Sequence, residues 1–410
     1  MSTVKNVDIL LPQVEDMSKW SVVSCDQFTS ERSYWETLKN YVGEDKSALK
    51  LIFPEVYLGD NDADLRTKNI NLTMQNYLDG GVFKTLKNSF VLVKRDTALG
   101  ASTLGIVLAI DLEDYSFLPV SDARVRATEG FVADRIPPRL KIRENAPIEL
   151  PHIIVLIDDR KHTVIEQFYK NADKLEKLYD FDLNMGGGHI AGYRLDSKSV
   201  TEAFDKYEQS ISGLYGVKTD FMFAVGDGNH SLATAKTHWD MIKGDLSLDE
   251  KEMHPARYAL CEVQNLHSDG LKFEPIFRCV FGVDEADFVG YLKKKLNGQG
   301  KIQLFFAVSK NMQPIELSVS ENSPQAIADV QGAVDEYLKL HKGASVDYIH
   351  GLEHLKDVTN QNNGVAIVMP KIKKEELFGY ILKHGALCRK AFSMGEAEGK
   401  RYYLEAKRIK

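Results

Sequence analysis

The sequence predicts a mixed α/β (α+β) fold in which helices pack against mixed sheets. Short, almost continuously apolar segments, such as residues 104–110 and 221–225, are typical of buried strands. Longer segments with apolar residues at helical spacing, such as residues 200–214, alternate with them along the chain. Hydrophobic residues make up 43% and charged residues 27% of the 410 positions, which is the mixture of a folded globular protein.

The elements are predicted in order from this spacing. Apolar residues from Leu65 to Leu78 roughly follow a helical period, which Gly80 and Gly81 end. Strands are predicted at residues 90–93, 104–110, 152–157, 193–195, 221–225, 258–263, 302–308, 315–319 and 365–369. Further helices are predicted at residues 164–179, 200–214, 324–341 and 373–382.

The length of the chain bears on its domain organisation. A single hydrophobic core rarely grows beyond roughly 250–300 residues, so a chain of 410 residues is expected to contain two or three packed units. We divide it into an N-terminal region (1–125), a central region (126–285) and a C-terminal region (286–410).

Charge and cysteine content narrow the classes of protein. The net charge of -7 argues against DNA as the main partner, because DNA-binding proteins normally carry a basic face. The four cysteines are scattered without a CxxC pair, which indicates neither a zinc site nor a disulfide framework. No apolar run approaches the roughly 18 residues that cross a bilayer, and the first residues lack the apolar core of a signal peptide. We expect a cytoplasmic protein, monomeric or oligomeric, with a small-molecule ligand.

Residues 124–151 combine many charges with prolines and are predicted to be irregular. Arg135, Arg139 and Arg143 recur every four residues, which on a helix would place them on one face, but the Pro137-Pro138 pair argues against a helix. The segment is therefore a functional loop, a linker or a solvated charged surface. Basic residues near the end of the chain are likewise expected on the solvated surface: Lys383, Arg389, Lys390, Lys400 and Arg401.

The most chemically distinctive segment joins the strand at residues 221–225 to a helix that begins near Ser231. Its two glycines allow positive φ and a close backbone approach to a ligand. The helix N-terminus offers unpaired N–H groups and the positive end of the helix dipole, which favour an anion such as phosphate. The residues predicted to form this site are Gly226, Gly228, Asn229, His230 and Ser231.

Asp227 lies in the same turn. A carboxylate is not expected to lie against a phosphate, so Asp227 is predicted to hold a metal ion or to take a proton from an attacking hydroxyl. A Gly-Asp-Gly-Asn turn before a helix also has a purely structural interpretation as ordinary turn and N-cap chemistry. The pattern is neither the dinucleotide fingerprint nor a P-loop. Further candidates for the site are His152, His189 and His267, although a single histidine more often has a structural role.

Motifs along nearly the whole chain carry a family resemblance. They are Ser21-Val22-Val23-Ser24-Cys25-Asp26, Arg126-Ala127-Thr128-Glu129-Gly130, Gly226-Asp227-Gly228-Asn229-His230, His267-Ser268-Asp269-Gly270-Leu271 and Arg389-Lys390-Ala391-Phe392-Ser393-Met394. Together they resemble a bacterial and archaeal family, the domain of unknown function numbered 1015. Its Asp-Gly-His-His-Arg motif is similar to the turn of the ParB/sulfiredoxin-like fold, in which the turn and the following helix hold nucleotide phosphates.

Free-serine kinases share that fold, so the resemblance implies phosphoryl transfer that involves serine or phosphoserine, a nucleotide and Mg²⁺. Asp227 and His230 match the motif, whereas Asn229 replaces its first His and Ser231 replaces its Arg. The loss of the Arg removes a bidentate phosphate contact. The residues that could compensate are Lys236, Arg135, Arg139 and Arg143, and the remaining candidates are Glu129, His189 and His267.

Three functions stay open. In a small-molecule phosphotransferase, such as a serine kinase, Asp227 would bind Mg²⁺ or act as base and His230 would help to hold the phosphate. The arginines of residues 135–143 would neutralise charge on the transferred group. A nucleotide-binding regulator would use the same turn without chemistry, and a phosphoserine phosphatase would transfer the phosphate to water.

Overall fold

The computed structural model describes residues 3–98, 100–130, 136–306, 314–395, 397–401 and 404–410. Contacts among these residues divide the chain into two compact units. The first unit comprises Met1–Ala127, Phe131–Leu271 and Gly395–Lys410, and the second comprises Thr128–Gly130 and Lys272–Met394. The division of the sequence into three regions stays a prediction.

Strands and helices alternate through both units. The strands are β1 (Val4–Lys5), β2 (Val7–Pro12), β3 (Phe83–Asp96), β4 (Ser102–Asp111), β5 (Tyr115–Ser116), β6 (Val125–Ala127), β7 (Ile148–Glu149), β8 (Ile154–Ile157), β9 (Lys177–Asp182), β10 (His189–Leu195), β11 (Phe223–Asp227), β12 (Tyr258–Asn265), β13 (Phe273–Phe281), β14 (Gly300–Phe306), β15 (Ile315–Val319), β16 (Ser345–His350), β17 (Val365–Val368), β18 (Phe392–Met394) and β19 (Lys407–Arg408). The helices are α1 (Arg32–Val42), α2 (Ala63–Asp79), α3 (Ile136–Arg143), α4 (Glu166–Tyr169), α5 (Ser197–Tyr215), α6 (Asn229–Ile242), α7 (Leu248–Met253), α8 (Glu285–Lys295), α9 (Ser323–Leu340), α10 (Leu352–Asn362) and α11 (Lys374–His384).

A mixed sheet forms the centre of the first unit, which confirms the predicted mixed α/β class. Its strands run in the order β5-β6-β11-β8-β12-β4-β3-β10-β9, with β1 paired to β4 and β2 paired to β3. The pairs β5–β6, β6–β11 and β8–β12 are parallel, and the other pairs are antiparallel. A small separate ladder joins β19 to β7. Because β11 is antiparallel to β8, the end of β11 lies beside the start of β8.

The predicted strands of the first unit are buried because their apolar runs contact neighbours on both faces. Residues 106–110 of β4 and 155–157 of β8 are fully buried or nearly so. The predicted helix at residues 200–214 is confirmed as α5, whose face Val200, Phe204, Tyr207 and Ile211 is buried. Gly216 ends it in the left-handed conformation, which glycine adopts without strain. No helix within the described residues has both the length and the apolar character needed to span a membrane.

The prediction of a helix at residues 164–179 is wrong. Only the single turn α4 and a 3₁₀ turn at Ala172–Lys174 are helical, and Lys177–Asp182 is strand β9. Tyr179 explains the difference, because it pairs across the ladder with Gly192 of β10 and a side chain at position 192 would collide with its ring. This cross-strand packing outweighs the helical spacing of the local sequence.

The expectation that Pro137 and Pro138 prevent a helix is also wrong. Helix α3 runs through Ile136–Arg143 and places the two prolines in its first turn. The first N–H groups of a helix have no intrahelical acceptor, so proline costs little at this position. The helix at residues 65–78 is confirmed as α2, although Leu65 and Leu72 of the predicted apolar face are exposed.

The second unit is built on an antiparallel sheet in the order β15-β14-β17-β13-β16, with β18 paired to β13. The sequence predicted β14, β15, β17, α9 and α11. It missed β13, β16, β18, α8 and α10. The residues of β16 are mostly exposed or half-buried and therefore lack the apolar run of a buried strand. On α9 the buried face includes Ile327, Val334 and Tyr337.

Candidate functional site

The turn between β11 and α6 has the strand–turn–helix geometry that the sequence predicts. The strand ends at Asp227, Gly228 adopts φ 77° and ψ 24°, and α6 begins at Asn229. A Cβ atom at Gly228 would lie 2.5 Å from the carbonyl oxygen of His152. Both the positive φ and this close approach require glycine at position 228.

The N-terminus of α6 has no side-chain cap. Gly228 is the N-cap residue, and its own N–H donates to Oδ1 of Asp227 at 2.8 Å. The N–H groups of the first helical turn have no intrahelical acceptor, so they present partial positive charge at this end. The side-chain oxygen of Asn229 is buried and has no hydrogen-bond partner among the described residues. The turn therefore has the backbone geometry of an anion site.

Asp227 is flanked by two cationic or titratable groups. Lys400 Nζ lies 3.1 Å from Oδ2 of Asp227, and His152 Nε2 lies 3.5 Å from the same oxygen. Burial alone would raise the pKa of Asp227, but Lys400 and His152 outweigh it and hold this pKa well below its usual value. The carboxylate is therefore ionised at neutral pH.

His152 is oriented by the chain segment that also carries Lys400. Its Nδ1 lies 2.8 Å from the carbonyl oxygen of Arg401. A carbonyl oxygen only accepts hydrogen bonds, so Nδ1 carries a proton and donates it to this oxygen. Nε2 is the atom that faces Asp227.

A cavity of about 170 Å³ lies beside the turn, and we call it the α3–α6 cavity. Its walls come from α2, α3 and α6, from residues 146–153 and 51–58, and from Cys25. The ionisable and hydroxyl side chains that line it are Cys25, Glu55, Arg139, Arg143, Glu149, His152, Ser231 and Thr234. His152 thus belongs both to the cavity and to the surroundings of Asp227.

Arg139 and Arg143 line this cavity together, as their spacing on one helix face predicts. Each already contacts a carboxylate: Arg139 forms an ion pair with Glu55, and Arg143 Nη2 lies 2.8 Å from Oε2 of Glu149. Glu149 is also 3.4 Å from Lys407 Nζ. The charge of Arg139 is therefore compensated by Glu55, whereas Arg143 and Lys407 share the single carboxylate of Glu149. Arg135, the first arginine of the series, lies outside the described residues.

His238 follows Thr234 by one turn on α6. It is only 4% exposed, and its Nδ1 has no partner among the described residues. Burial, together with the nearby Arg143 guanidinium, lowers the pKa of His238 to about 4. This side chain is neutral at physiological pH and adds no charge to the site.

Two predicted histidines do not join the turn. His189 lies on β10 and contacts Asp180 and Asp182, at 2.7 and 2.6 Å. The Nε2 atom of His267 is 2.6 Å from Oδ1 of Asp158, at the end of β8 opposite to Asp227. Asp158 also lines a larger cavity of about 760 Å³, in which the lysines Lys161 and Lys206 are exposed.

Two other candidates have separate partners. Lys236 forms an ion pair with Asp240 one turn along α6, at 3.1 Å. Glu129 belongs to the second unit, where its side chain accepts a hydrogen bond from the backbone N–H of Lys390 at 3.0 Å. Neither contact involves the turn at residues 226–231.

The expectation of a solvated basic surface is wrong for Lys400 and Arg401. Their side chains are 16% and about 1% exposed, and Arg401 donates to Oδ1 of Asn184 at 2.7 Å. The pairing of Lys400 with Asp227 leaves no signal in the local sequence, because the two residues are far apart along the chain. Lys383, Arg389 and Lys390 are exposed, as expected.

Asp227 is the carboxylate at the turn on which the predicted Mg²⁺ would depend. Among the described residues, no three His, Cys, Asp or Glu side chains converge as metal ligands do. Mg²⁺ is commonly held by one or two carboxylates together with substrate phosphates. The residues present therefore fit Mg²⁺ only as a companion of a bound phosphate, with Asp227 as its protein ligand.

A family model described as "Protein of unknown function (DUF1015)" matches residues 9–407. This chain belongs to that family. No curated protein matches the DUF1015 chain significantly. The resemblance expected from the motifs near both ends and around the turn is thereby confirmed.

Solved structures resemble the DUF1015 chain only distantly. A conserved hypothetical protein from Pyrococcus furiosus has 10% identity and a TM-score of 0.36, over 70% of this chain and 90% of its own. A mutant of a free serine kinase in complex with AMP has 11% identity and a TM-score of 0.39, over 71% and 88%. SbnI from Staphylococcus aureus, with a C-terminal truncation, has 10% identity and a TM-score of 0.38, over 70% and 82%. Likenesses this distant say nothing about what the chain binds.

Proposed function

We propose that this DUF1015 protein is a small-molecule phosphotransferase that binds a phosphate at the N-terminus of α6. The observation that carries the proposal is the uncapped helix end at Gly228 beside the Asp227–Lys400 pair. Backbone N–H groups at a helix N-terminus form a ready anion site. Lys400 and His152 place cationic or protonatable groups at the same opening.

Asp227 has a second role in the proposal. In phosphoryl transfer the oxygen of an acceptor hydroxyl bonds to phosphorus while the bond from phosphorus to the leaving oxygen breaks. Because the pKa of Asp227 is held low, its carboxylate is a weak base that accepts a hydrogen bond from the acceptor hydroxyl and orients it. The leaving nucleoside diphosphate departs with the electrons of the broken P–O bond, and the hydroxyl proton is released to water. Mg²⁺ bound with the phosphates would neutralise charge on the transferred group.

Serine is the acceptor that the Asp-Gly-His-His-Arg resemblance implies, and a nucleoside phosphate is the corresponding donor. Phosphorus NMR of the purified protein with serine or phosphoserine, ATP or ADP, and Mg²⁺ tests this directly. Transfer of a phosphoryl group to serine supports the kinase, and release of inorganic phosphate from phosphoserine supports a phosphatase.

Variants connect the reaction to the turn. Asp227→Asn keeps the shape of the side chain and removes its charge, so the rate should fall at least about a hundredfold. Asp245→Asn, an exposed aspartate just beyond the other end of α6, is the matched control and should keep the full rate. If Asp227→Asn retains the rate while circular dichroism shows a folded chain, the role given to Asp227 is wrong.

A nucleotide-binding regulator without chemistry is the second candidate, and one observation favours it. Arg139 and Arg143 are already paired with Glu55 and Glu149, and Ser231 stands where the motif has Arg. Calorimetry with nucleotides would then show binding without any product in the NMR experiment. Ser231→Arg restores the missing guanidinium, and it should tighten nucleotide binding about tenfold in either case. Turnover that appears only in this variant supports the regulator for the natural chain.

A further inference from the structure

The α3–α6 cavity lies next to the proposed phosphate site, and its lining indicates which kind of ligand binds there. We infer that the ligand bound at the N-terminus of α6 carries an uncharged, apolar group of about the size of a benzene ring, held in this cavity. The inference rests on the proposed phosphate site and adds the chemistry of the group next to the phosphate.

Apolar side chains dominate the walls of the cavity. Leu51, Phe53, Met74, Ile142, Leu150 and Ile153 line it. All except Ile142 are nearly fully buried, with at most 7% of their surface exposed. A ligand group that displaces water from such walls gains free energy in proportion to its apolar area.

The charged groups in the lining hold one another in ion pairs. Arg139 is paired with Glu55, and Glu149 is shared by Arg143 and Lys407. A cationic ligand group would meet these cations, and an anionic one would lose its hydration and compete with Glu55 and Glu149 for them. An uncharged apolar group leaves the ion pairs intact, so the apolar walls favour it.

Three side chains connect the cavity to the phosphate site. Ser231 and Thr234 of the first turns of α6 line it, and so does His152, whose Nε2 is 3.5 Å from Oδ2 of Asp227. One ligand can therefore reach both the helix N-terminus and the apolar walls.

The size of the cavity limits the apolar group. Its volume of about 170 Å³ is close to that of an engineered apolar cavity of ~150 Å³ that binds benzene. A nucleoside is too large for this space. The cavity therefore suits an acceptor, or its phosphorylated product, that carries an apolar group where serine carries charged amino and carboxylate groups, and the base of a nucleotide would lie elsewhere.

A series of alkyl phosphates tests the inference on the unaltered protein. Titration calorimetry with methyl, ethyl, propyl, butyl and benzyl phosphate should show affinity rising about fourfold for each buried CH₂ until the cavity is full. Equal affinity across the series, with methyl phosphate still bound, overturns this inference alone. If methyl phosphate and inorganic phosphate both fail to bind, the proposed phosphate site is wrong and the inference fails with it.

A cavity-filling variant supplies the complementary test. Ala146 lines the cavity and is 3% exposed, so Ala146→Leu places three more carbons inside it. We expect affinity for benzyl phosphate to fall at least about tenfold while affinity for methyl phosphate stays within about twofold. Ala203→Leu on α5, which is similarly buried but outside this cavity, should change neither. If Ala146→Leu weakens the binding of benzyl phosphate and of methyl phosphate to the same extent, the inference is contradicted. If either variant fails to fold, the alkyl phosphate series alone decides the question.

Discussion

Lys400 Nζ lies 3.1 Å from Oδ2 of Asp227, so a residue of the last chain segment supplies the counter-charge for the carboxylate of the strand–helix turn. The Asp227 side chain is only 20% exposed, and a charge in such surroundings depends on its partner. The same pair lies at the proposed phosphate site. If the proposed function is correct, this one contact serves both the stability of the first unit and phosphate binding.

The Lys400→Met variant tests whether the buried carboxylate of Asp227 depends on Lys400 for its stability. Removal of one partner leaves a largely buried carboxylate, so the free energy of unfolding should fall by about 3 kcal/mol at neutral pH. The pKa of Asp227 is lowered in the folded protein, so the stabilisation by Lys400 is complete above about pH 4 and is lost as pH falls further. Urea unfolding can be followed by tryptophan fluorescence, because Trp20, Trp35 and Trp239 all belong to the first unit.

The matched control is Lys236→Met. Lys236 is also 3.1 Å from an aspartate, but Asp240 is 40% exposed, so the loss should stay below about 1 kcal/mol. Equal losses for the two variants would show that the burial of Asp227 does not set the strength of its pair.

Gly228→Ala should disrupt the turn. The new Cβ combines a φ of 77° with an approach of 2.5 Å to the carbonyl oxygen of His152. Gly216→Ala is the control, because its φ of 65° is similar and no atom lies within 4 Å of the added carbon. We expect Gly216→Ala to lose about 1 kcal/mol, and Gly228→Ala to lose at least about 1–2 kcal/mol more. Phosphate binding, measured by calorimetry, should survive only in Gly216→Ala.

Glu405→Gln tests a buried carboxyl group. Burial raises the pKa of Glu405 to about 7, although Tyr179 donates a hydrogen bond to its Oε1 at 2.8 Å. Between about pH 4.3 and 7 the unfolded chain releases this proton while the folded chain keeps it, so stability falls as pH rises. The glutamine variant lacks this loss and should be more stable than the natural chain at pH 8 by up to about 3 kcal/mol. An unchanged pH profile would show that Glu405 ionises normally.

His238→Phe should change the same pH window in the opposite sense. The pKa of His238 is lowered to about 4, so between about pH 6.5 and 4 the unfolded chain binds a proton that the folded chain excludes. The stability of the natural chain therefore includes a loss of up to about 3 kcal/mol as pH falls through this window. The phenylalanine variant should lack that loss, which unfolding at pH 7 and pH 4.5 measures. A steeper loss at low pH in the variant would contradict the assignment.

Local sequence patterns correctly predict those strands and helices that are stabilised mainly by the burial of their own apolar side chains. The apolar run of β11, the glycine turn and the apolar face of α6 predicted the strand–turn–helix unit correctly. Helix α5 was predicted for the same reason. The helical spacing at residues 164–179 led to a wrong prediction. Tyr179 packs on Gly192 of the neighbouring strand, and this cross-strand contact stabilises the strand more than the local spacing stabilises a helix.

The composition of the site depends on contacts that no local pattern contains. Ser231, Thr234 and the α3 arginines lie around one cavity because α3 packs against α6. Charge alone indicated a solvated surface for Lys400, since most surface charges are hydrated. Its partner Asp227 and the histidine His152 come from distant segments, and only the folded sheet brings the three together.

The segment Gly395–Lys410, which follows the second unit along the chain, has a consequence for biosynthesis. Residues 395–410 belong to the first unit, where Ala406 pairs with Leu10 and β19 pairs with β7. A nascent chain in which the whole second unit has already been synthesised still lacks Lys400. It also lacks Ala406, which exchanges backbone hydrogen bonds with Leu10 of β2. The first unit must therefore remain incompletely closed until residues 395–410 have been synthesised. A ribosome stalled within the second unit would display a polypeptide that cannot complete the core of the first unit.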